Sequence, residues 1–296
     1  MKYRLVQDKA AGGFMFFLVI LSFFLVIGMG VGLYVKSSPI LESHSLTELL
    51  LSSNWKPLKG EFGFFPFLMG TLWVTFIAIL LAFPVAILTA IYLTEYAKPF
   101  IKKYVFPALD ILAALPSVIY GVWGTLVVVP WIANKLAPLF VDYSTGYTVL
   151  AGGIVLGIMI LPLLVSLMVE IYSSVPNELR ETSLSLGATK WQTTKRVIIW
   201  RTLPGTLAAI VLAISRAFGE TIAVLMVCGN LPTVPRSLFE SCYPIPSLIA
   251  NNYGEMLSLP LYESALMFAA LILFIVVLFF NLISRMILYR IEKKFM

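Results

Sequence analysis

Met69 to Ala97 reads MGTLWVTFIAILLAFPVAILTAIYLTEYA. Its apolar part, Met69–Leu93, has the length, about 17–25 residues, at which a helix crosses the hydrocarbon core of a bilayer. The rest of the chain agrees with that reading. It is 60% hydrophobic and 12% charged, with a mean hydropathy of +0.95, a composition that excludes a single water-soluble core. Five further stretches match in length: Gly13–Val35, Val105–Ile132, Thr148–Tyr172, Leu203–Cys228 and Glu263–Leu288. All six are expected to be helices, because lipid satisfies no backbone polar group. The fold class is therefore all-α integral membrane, with six transmembrane helices.

Lys2, Arg4 and Lys9 precede the first stretch, as in a signal peptide. Its apolar part is longer than a typical signal core and no A-x-A-like site closes it, so a retained anchor is expected. Lys and Arg then give an orientation. Fifteen of the 21 lie at the two ends and in the second–third and fourth–fifth loops, whereas the alternate loops hold only Lys36, Lys56, Lys59, Lys135 and Arg236. By the positive-inside rule both termini are cytoplasmic. The net charge of +6 is thus a topology signal and gives no support to nucleic-acid binding.

Several chemistries are poorly supplied. There is no G-x-x-x-x-G-K-[ST] phosphate loop, so the chain does not hydrolyse nucleotide by that route and a driving force must come from elsewhere. His44 is the single histidine, and a lone loop histidine is ordinarily solvated; Cys228 and Cys242 are the only cysteines. A metal site, a Cys–His nucleophile and a cofactor are not expected, and two cysteines alone do not establish a disulfide. The spans also lack a convincing Ser–His, H-E-x-x-H or paired-Asp set, which disfavours an intramembrane enzyme.

The segment SSVPNELRETSLSLGATKWQTTKRVIIW, Ser173 to Trp200, interrupts the apolar pattern. Asn177 to Leu186 contains no breaker, so a short helix is expected from Pro176 or Asn177, stopped by Gly187. Thr189 then offers an N-cap for a second helix from Lys190. The result is a knob whose sides mix Leu179, Leu184 and Leu186 with Thr182, Ser183 and Ser185. From the residues alone it is either a docking element or an interfacial helix lying on lipid.

The fifth stretch carries charge inside its apolar run: AISRAFGETIAV, Ala213 to Val224. On a continuous helix Ala209, Ala213, Arg216, Gly219, Glu220 and Ala223 share one strip, because residues three and four apart lie on the same face. Small residues suit close helix approach and charges avoid lipid, so this strip is expected to face a partner helix or a pathway. Arg216 and Glu220 then either neutralise one another in an i, i+4 pair or serve transport. Asp110 is expected near the positive end of the third helix, Glu170 at the cytoplasmic boundary, and Pro84, Pro116 and Pro162 at kinks. Thr221 and Asn230 are candidates for neutral hydrogen bonds along a route.

Five stretches carry a resemblance. E181-T-S-L-S-L-G187 resembles the E-A-A-x-x-x-G loop of ABC importer permeases, with Thr182 and Ser183 in place of the two alanines. LPSVIYGVWG (Leu115–Gly124), RAFGETIAVLMVCGN (Arg216–Asn230) and SLFESCYPIPSLIANNYGE (Ser237–Glu255), with Met69–Ala97, are similar to the PstC family of phosphate-specific ABC importer permeases, from about Phe64 onward. The resemblance implies a non-catalytic permease subunit. Residues 1–62 would form the tail, first helix and outside loop, and 63–296 a five-helix core with its coupling loop at about 173–201. Glu181, Thr182, Ser183 and Gly187 would couple to a cytoplasmic ATPase; Arg216, Glu220 and Thr221 would line the phosphate pathway. The implied partners are a PstA-type second permease, two ATPase subunits, an extracytoplasmic phosphate-binding protein and the lipid of a bacterial cytoplasmic membrane. The alternatives are a permease for another oxyanion such as sulfate or molybdate, and a self-sufficient ion-coupled carrier or channel, which would need no knob.

Overall fold

The computed structural model describes residues 2–254 and 260–295. In chain order, α1 (Lys2–Ser43) is followed by α2 (Leu46–Leu51) and a hairpin of β1 (Trp55–Lys56) and β2 (Glu61–Phe62). Then come α3 (Phe65–Ile91), which runs on through a π-type turn at Tyr92–Tyr96, and α4 (Pro99–Ala114). The next span is built of α5 (Ser117–Trp123), α6 (Val129–Trp131) and the wider turns around them. It leads to α7 (Val149–Ser173), α8 (Asn177–Ser185) and α9 (Lys190–Thr193). The chain finishes with α10 (Ile199–Phe218), α11 (Ile222–Val227), α12 (Ile245–Asn252) and α13 (Pro260–Phe295). Among the described residues six segments are long and apolar enough to cross a membrane: 11–43, 65–96, 117–139, 149–173, 190–218 and 260–287.

Two of the expected spans are corrected. Val105–Ile132 is not one helix. Pro116 forces Leu115 out of the helical region, to φ −63° and ψ 132°, so α4 ends and α5 begins afresh. Asp110 therefore lies exposed near the C-terminal end of α4, the wrong end for a favourable dipole interaction. Pro116 marks this break, whereas Pro84 and Pro162 lie inside α3 and α7. Leu203–Cys228 is not one helix either: α10 stops at Phe218, and Gly219 to Thr221 separate it from α11.

The core forms where α3 lies along α7. Gly152, Gly153 and Gly157 of α7 face Val74, Ile77 and Ala78 of α3 so closely that a Cβ on Gly153 would sit 2.3 Å from Ile77 Cγ2. A Cβ on Gly157 would sit 3.1 Å from the Ala78 carbonyl oxygen. In lipid the hydrophobic effect does not drive helices together, so such backbone approach and its dispersion contacts hold the pair. Gly121 and Gly124 bring the third span equally close to Met226 of α11 and Val155 of α7.

A second cluster closes the end of the bundle opposite α8. Trp55 stands edge-on to Phe62, Phe64, Phe67 and Tyr262, with ring centroids 4.8–5.9 Å apart. His44 is not simply solvated: Ser43 Oγ lies 3.0 Å from its Nδ1 and the Gly60 carbonyl 2.9 Å from its Nε2, which ties the end of α1 to the hairpin. Helix α1 is peripheral. It docks on α13 through Lys36–Glu263 (3.2 Å), the Ile40 N–H to Ser264 Oγ bond (3.0 Å) and Gly30 against Phe274.

Replacing Gly153 by Leu overfills the α3–α7 contact, and overpacking of this kind costs about 1–3 kcal/mol or more. The thermal midpoint of the detergent-purified protein is expected to fall by several degrees. Gly32→Leu on α1, where nothing lies within 4 Å, is expected to leave it unchanged.

Candidate functional site

Arg216 and Glu220 do not pair. The continuous helix that would align them is interrupted at Gly219, and Glu220 turns back to accept the Ala223 N–H at 3.4 Å, at the start of α11. A carboxylate that bonds local backbone competes with helix continuation, which accounts for the break. The Thr221 hydroxyl donates to the Gly219 carbonyl (3.2 Å), and Ser247 of α12, fully buried, donates to the Thr221 carbonyl (3.4 Å). The Ile245 N–H donates to Thr71 Oγ1 of α3 at 2.9 Å, so α12 is itself pinned to the second span. Thr71 and Ser247 are thus parts of the site that sequence reasoning missed. A serine or threonine in an apolar segment gives no signal of its distant partner.

The single strip inferred from the sequence splits in two. Ala209, Ala213 and Ala223 are buried against neighbouring helices, whereas Arg216 and Gly219 are exposed. The Arg216 side chain has no hydrogen bond or ion pair among the described residues. Glu220 borders a cavity of about 10 Å³, with Thr71, Thr75, Pro244 and Pro246, which is far too small for an oxyanion. In this conformation the carboxylate braces the break and the guanidinium is the free group.

Farther along, Asn230 adopts a left-handed φ of 54° and donates its amide to the Leu225 carbonyl (2.8 Å), closing α11. Its Oδ1 is buried without a partner among the described residues, and one of its two amide hydrogens is committed to Leu225. Cys228 and Cys242, both buried free thiols, are neighbours, since the Cys242 N–H donates to the Cys228 carbonyl at 3.0 Å. On α12 the amides of Asn251 and Asn252 meet the Tyr243 hydroxyl at 2.9 and 3.1 Å. Burial pushes the Tyr243 phenol above its usual pKa, and these two amide donors oppose the shift.

The knob has the expected shape. Gly187, at φ 82°, ends α8 in a Schellman arrangement: the Ala188 N–H reaches the Ser183 carbonyl (3.2 Å) and the Gly187 N–H the Leu184 carbonyl (2.9 Å). Thr189 and Gln192 cap α9 reciprocally, at 3.2 and 2.8 Å. Glu181, Thr182, Leu184, Leu186 and Gly187 are exposed; Ser183 turns toward α9 and shares a 2.9 Å hydrogen bond with Thr193. The two helices thus form a hairpin, tied by the Ser183–Thr193 bond, with an exposed apolar and acidic end.

The family described as the binding-protein-dependent transport system inner membrane component matches residues 82–296. The chain belongs to that family. It is a multi-pass permease subunit of an ABC transporter, and ATP hydrolysis is the work of a separate subunit. Among its relatives, the probable ABC transporter permease YqgH of Bacillus subtilis is 36% identical over 90% of this chain and 86% of its own length. The phosphate transport system permease PstC of Pasteurella multocida is 35% identical over 83% and 80%. PstC of Mesorhizobium japonicum is 34% identical over 93% and 88%. The fold is that of the inward-facing MetNI methionine ABC transporter (TM-score 0.54, 15% identity, 79% of this chain and 99% of that one). It is also that of a bacterial alginate ABC transporter (0.53, 19%, 75% and 79%).

Because Arg216 and Glu220 share no contact here, a double-mutant cycle of Arg216→Gln and Glu220→Gln on thermal stability is expected to be additive within about 0.5 kcal/mol. A larger coupling energy in the purified protein would restore the ion-pair lock.

Proposed function

We propose that this chain is the PstC-type permease of an ATP-driven importer of inorganic phosphate. The observation that carries the reading is Arg216: a cation without a counter-ion among the described residues, exposed on the fifth span where the helix breaks. A charge facing lipid on an apolar span is costly. Arg216 therefore faces a second permease and a polar path between the two subunits. A guanidinium presents a planar set of donors that matches two oxygens of a phosphate, which an ammonium does not. Glu220, by holding the break open, sets the direction in which Arg216 projects, and Thr221 belongs to the same turn. The phosphate-transport names of several relatives support phosphate over sulfate or molybdate.

On this reading the second permease is of PstA type. Two ATPase subunits receive the exposed end of α8 through Glu181, Thr182, Ser183 and Gly187, and an extracytoplasmic phosphate-binding protein delivers the anion. The basic loops put both termini and α8 in the cytoplasm. Residues 1–62 act as a peripheral anchor to a core formed by 63–296.

In vesicles carrying the whole importer, Arg216→Gln is expected to assemble and to lose phosphate uptake by about 10²-fold or more, with Arg216→Lys recovering only a small part. Gly187→Val forces a β-branched residue into a left-handed backbone and strains the turn by about 1–2 kcal/mol. It is expected to assemble and to lose the stimulation of ATP hydrolysis by the loaded binding protein. Parent-like uptake in the first, or parent-like stimulation in the second, removes the corresponding role.

Orientation is tested by single cysteines. Thiol labels are expected to reach Lys59→Cys and Arg236→Cys from outside intact cells, and Lys190→Cys only after permeabilisation. The opposite pattern overturns the assignment of the faces.

A further inference from the structure

Arg180 lies next to Glu181 in the sequence but points the other way. While Glu181 is exposed, the Arg180 side chain is only 17% exposed and reaches into the bundle. Its Nε and Nη2 donate to Glu95, at 3.2 and 3.0 Å from Oε1. Nη2 also reaches the Tyr172 carbonyl (2.8 Å), and Nη1 donates to the Val175 carbonyl and to Asn177 Oδ1 (3.3 Å). One guanidinium thus gathers the carboxylate at the end of the second span, a carbonyl left free at the end of α7, and the start of α8.

Glu95 lies in the π-type turn Tyr92–Tyr96, closed by the Ala97 N–H to Tyr92 carbonyl bond at 2.8 Å. Such turns are uncommon and concentrate at functional sites. The next residue, Tyr96, carries the Lys190 ammonium 5.3 Å from its ring centroid. Consecutive side chains of this turn therefore hold both legs of the hairpin, Arg180 from α8 and Lys190 from α9. The Ser183–Thr193 bond ties the legs to each other.

Resting on the reading of α8 as the ATPase-coupling element, we propose that Arg180 and Glu95 are positioning residues that form a permanently closed joint, through which movement of α8 is delivered sideways to the second span. The backbone runs from α8 back through Ser174–Pro176 into α7 and forward through α9 into the fifth span. The joint adds a direct side-chain link to the end of the second span. Its permanence follows from burial: Glu95 is 9% exposed, and opening the joint would strand a desolvated carboxylate and the two guanidinium donors aimed at it. Moving α8 and the end of α3 together breaks none of these bonds.

The test uses the whole importer in vesicles, with phosphate taken up per ATP hydrolysed as the readout that a merely structural residue would not move. Glu95→Gln keeps the side chain's shape and removes its charge; Arg180→Lys keeps charge and removes the fork. Both are expected to keep basal ATP hydrolysis and to lower phosphate carried per ATP by about five- to a hundredfold, the usual span of coupling effects. Unchanged stoichiometry in assembled Glu95→Gln overturns the joint. Parent-like stimulation in Gly187→Val instead overturns the coupling role of α8, so the two failures are distinguishable. Should the single variants fail to assemble, Glu95→Cys with Arg180→Cys is bridged by a short bifunctional methanethiosulfonate reagent; the native Cys228 and Cys242 are buried and spared. A joint that stays closed predicts that bridging raises phosphate per ATP above the unbridged pair. Abolished uptake on bridging shows that the contact must open in the cycle and sinks the proposal.

Discussion

The close approach of α3 and α7 is the constraint on which the rest depends. In lipid, helices gain little from burying apolar surface, so association rests on backbone proximity and dispersion. Gly152, Gly153 and Gly157 provide that proximity against Val74, Ile77 and Ala78. Once the two helices are fixed, Thr71 near the start of α3 can hold α12 against the break in the fifth span. At the far end of the same helix, Glu95 can hold α8. The two ends of one packed pair thus support the two features with functional character.

Charge in this molecule is distributed by cost. Arg180 and Glu95 are buried together and satisfy one another, with carbonyls taking the remaining donors. Arg216 is exposed on an apolar span without such a partner among the described residues, an arrangement stable only beside another polar surface. Their different surroundings, not their residue type, separate the two arginines.

Breaks in the helices have local causes that act within a global frame. Pro116 ends α4 by steric exclusion of the helical conformation at Leu115. At Gly219 no proline is present; the break persists because Glu220 caps α11 and Ser247 holds the Thr221 carbonyl. The donor in the second case arrives from more than twenty residues away in the chain.

Length and apolar runs determined the class of the molecule and the number of its apolar spans, because bilayer thickness and backbone hydrogen bonding leave few alternatives. The α8 hairpin was equally legible, since Gly187 and the Thr189–Gln192 cap act through bonds only a few residues apart. Tertiary structure decided what Arg216 and Glu220 do to one another: spacing of four implies a shared face only on an unbroken helix, and the group that holds the break lies on α12. It also decided that Arg180 is a largely buried, ion-paired group and not one more exposed charge, because Glu95 lies 85 residues away and only the packing of α3 on α7 brings the carboxylate to α8.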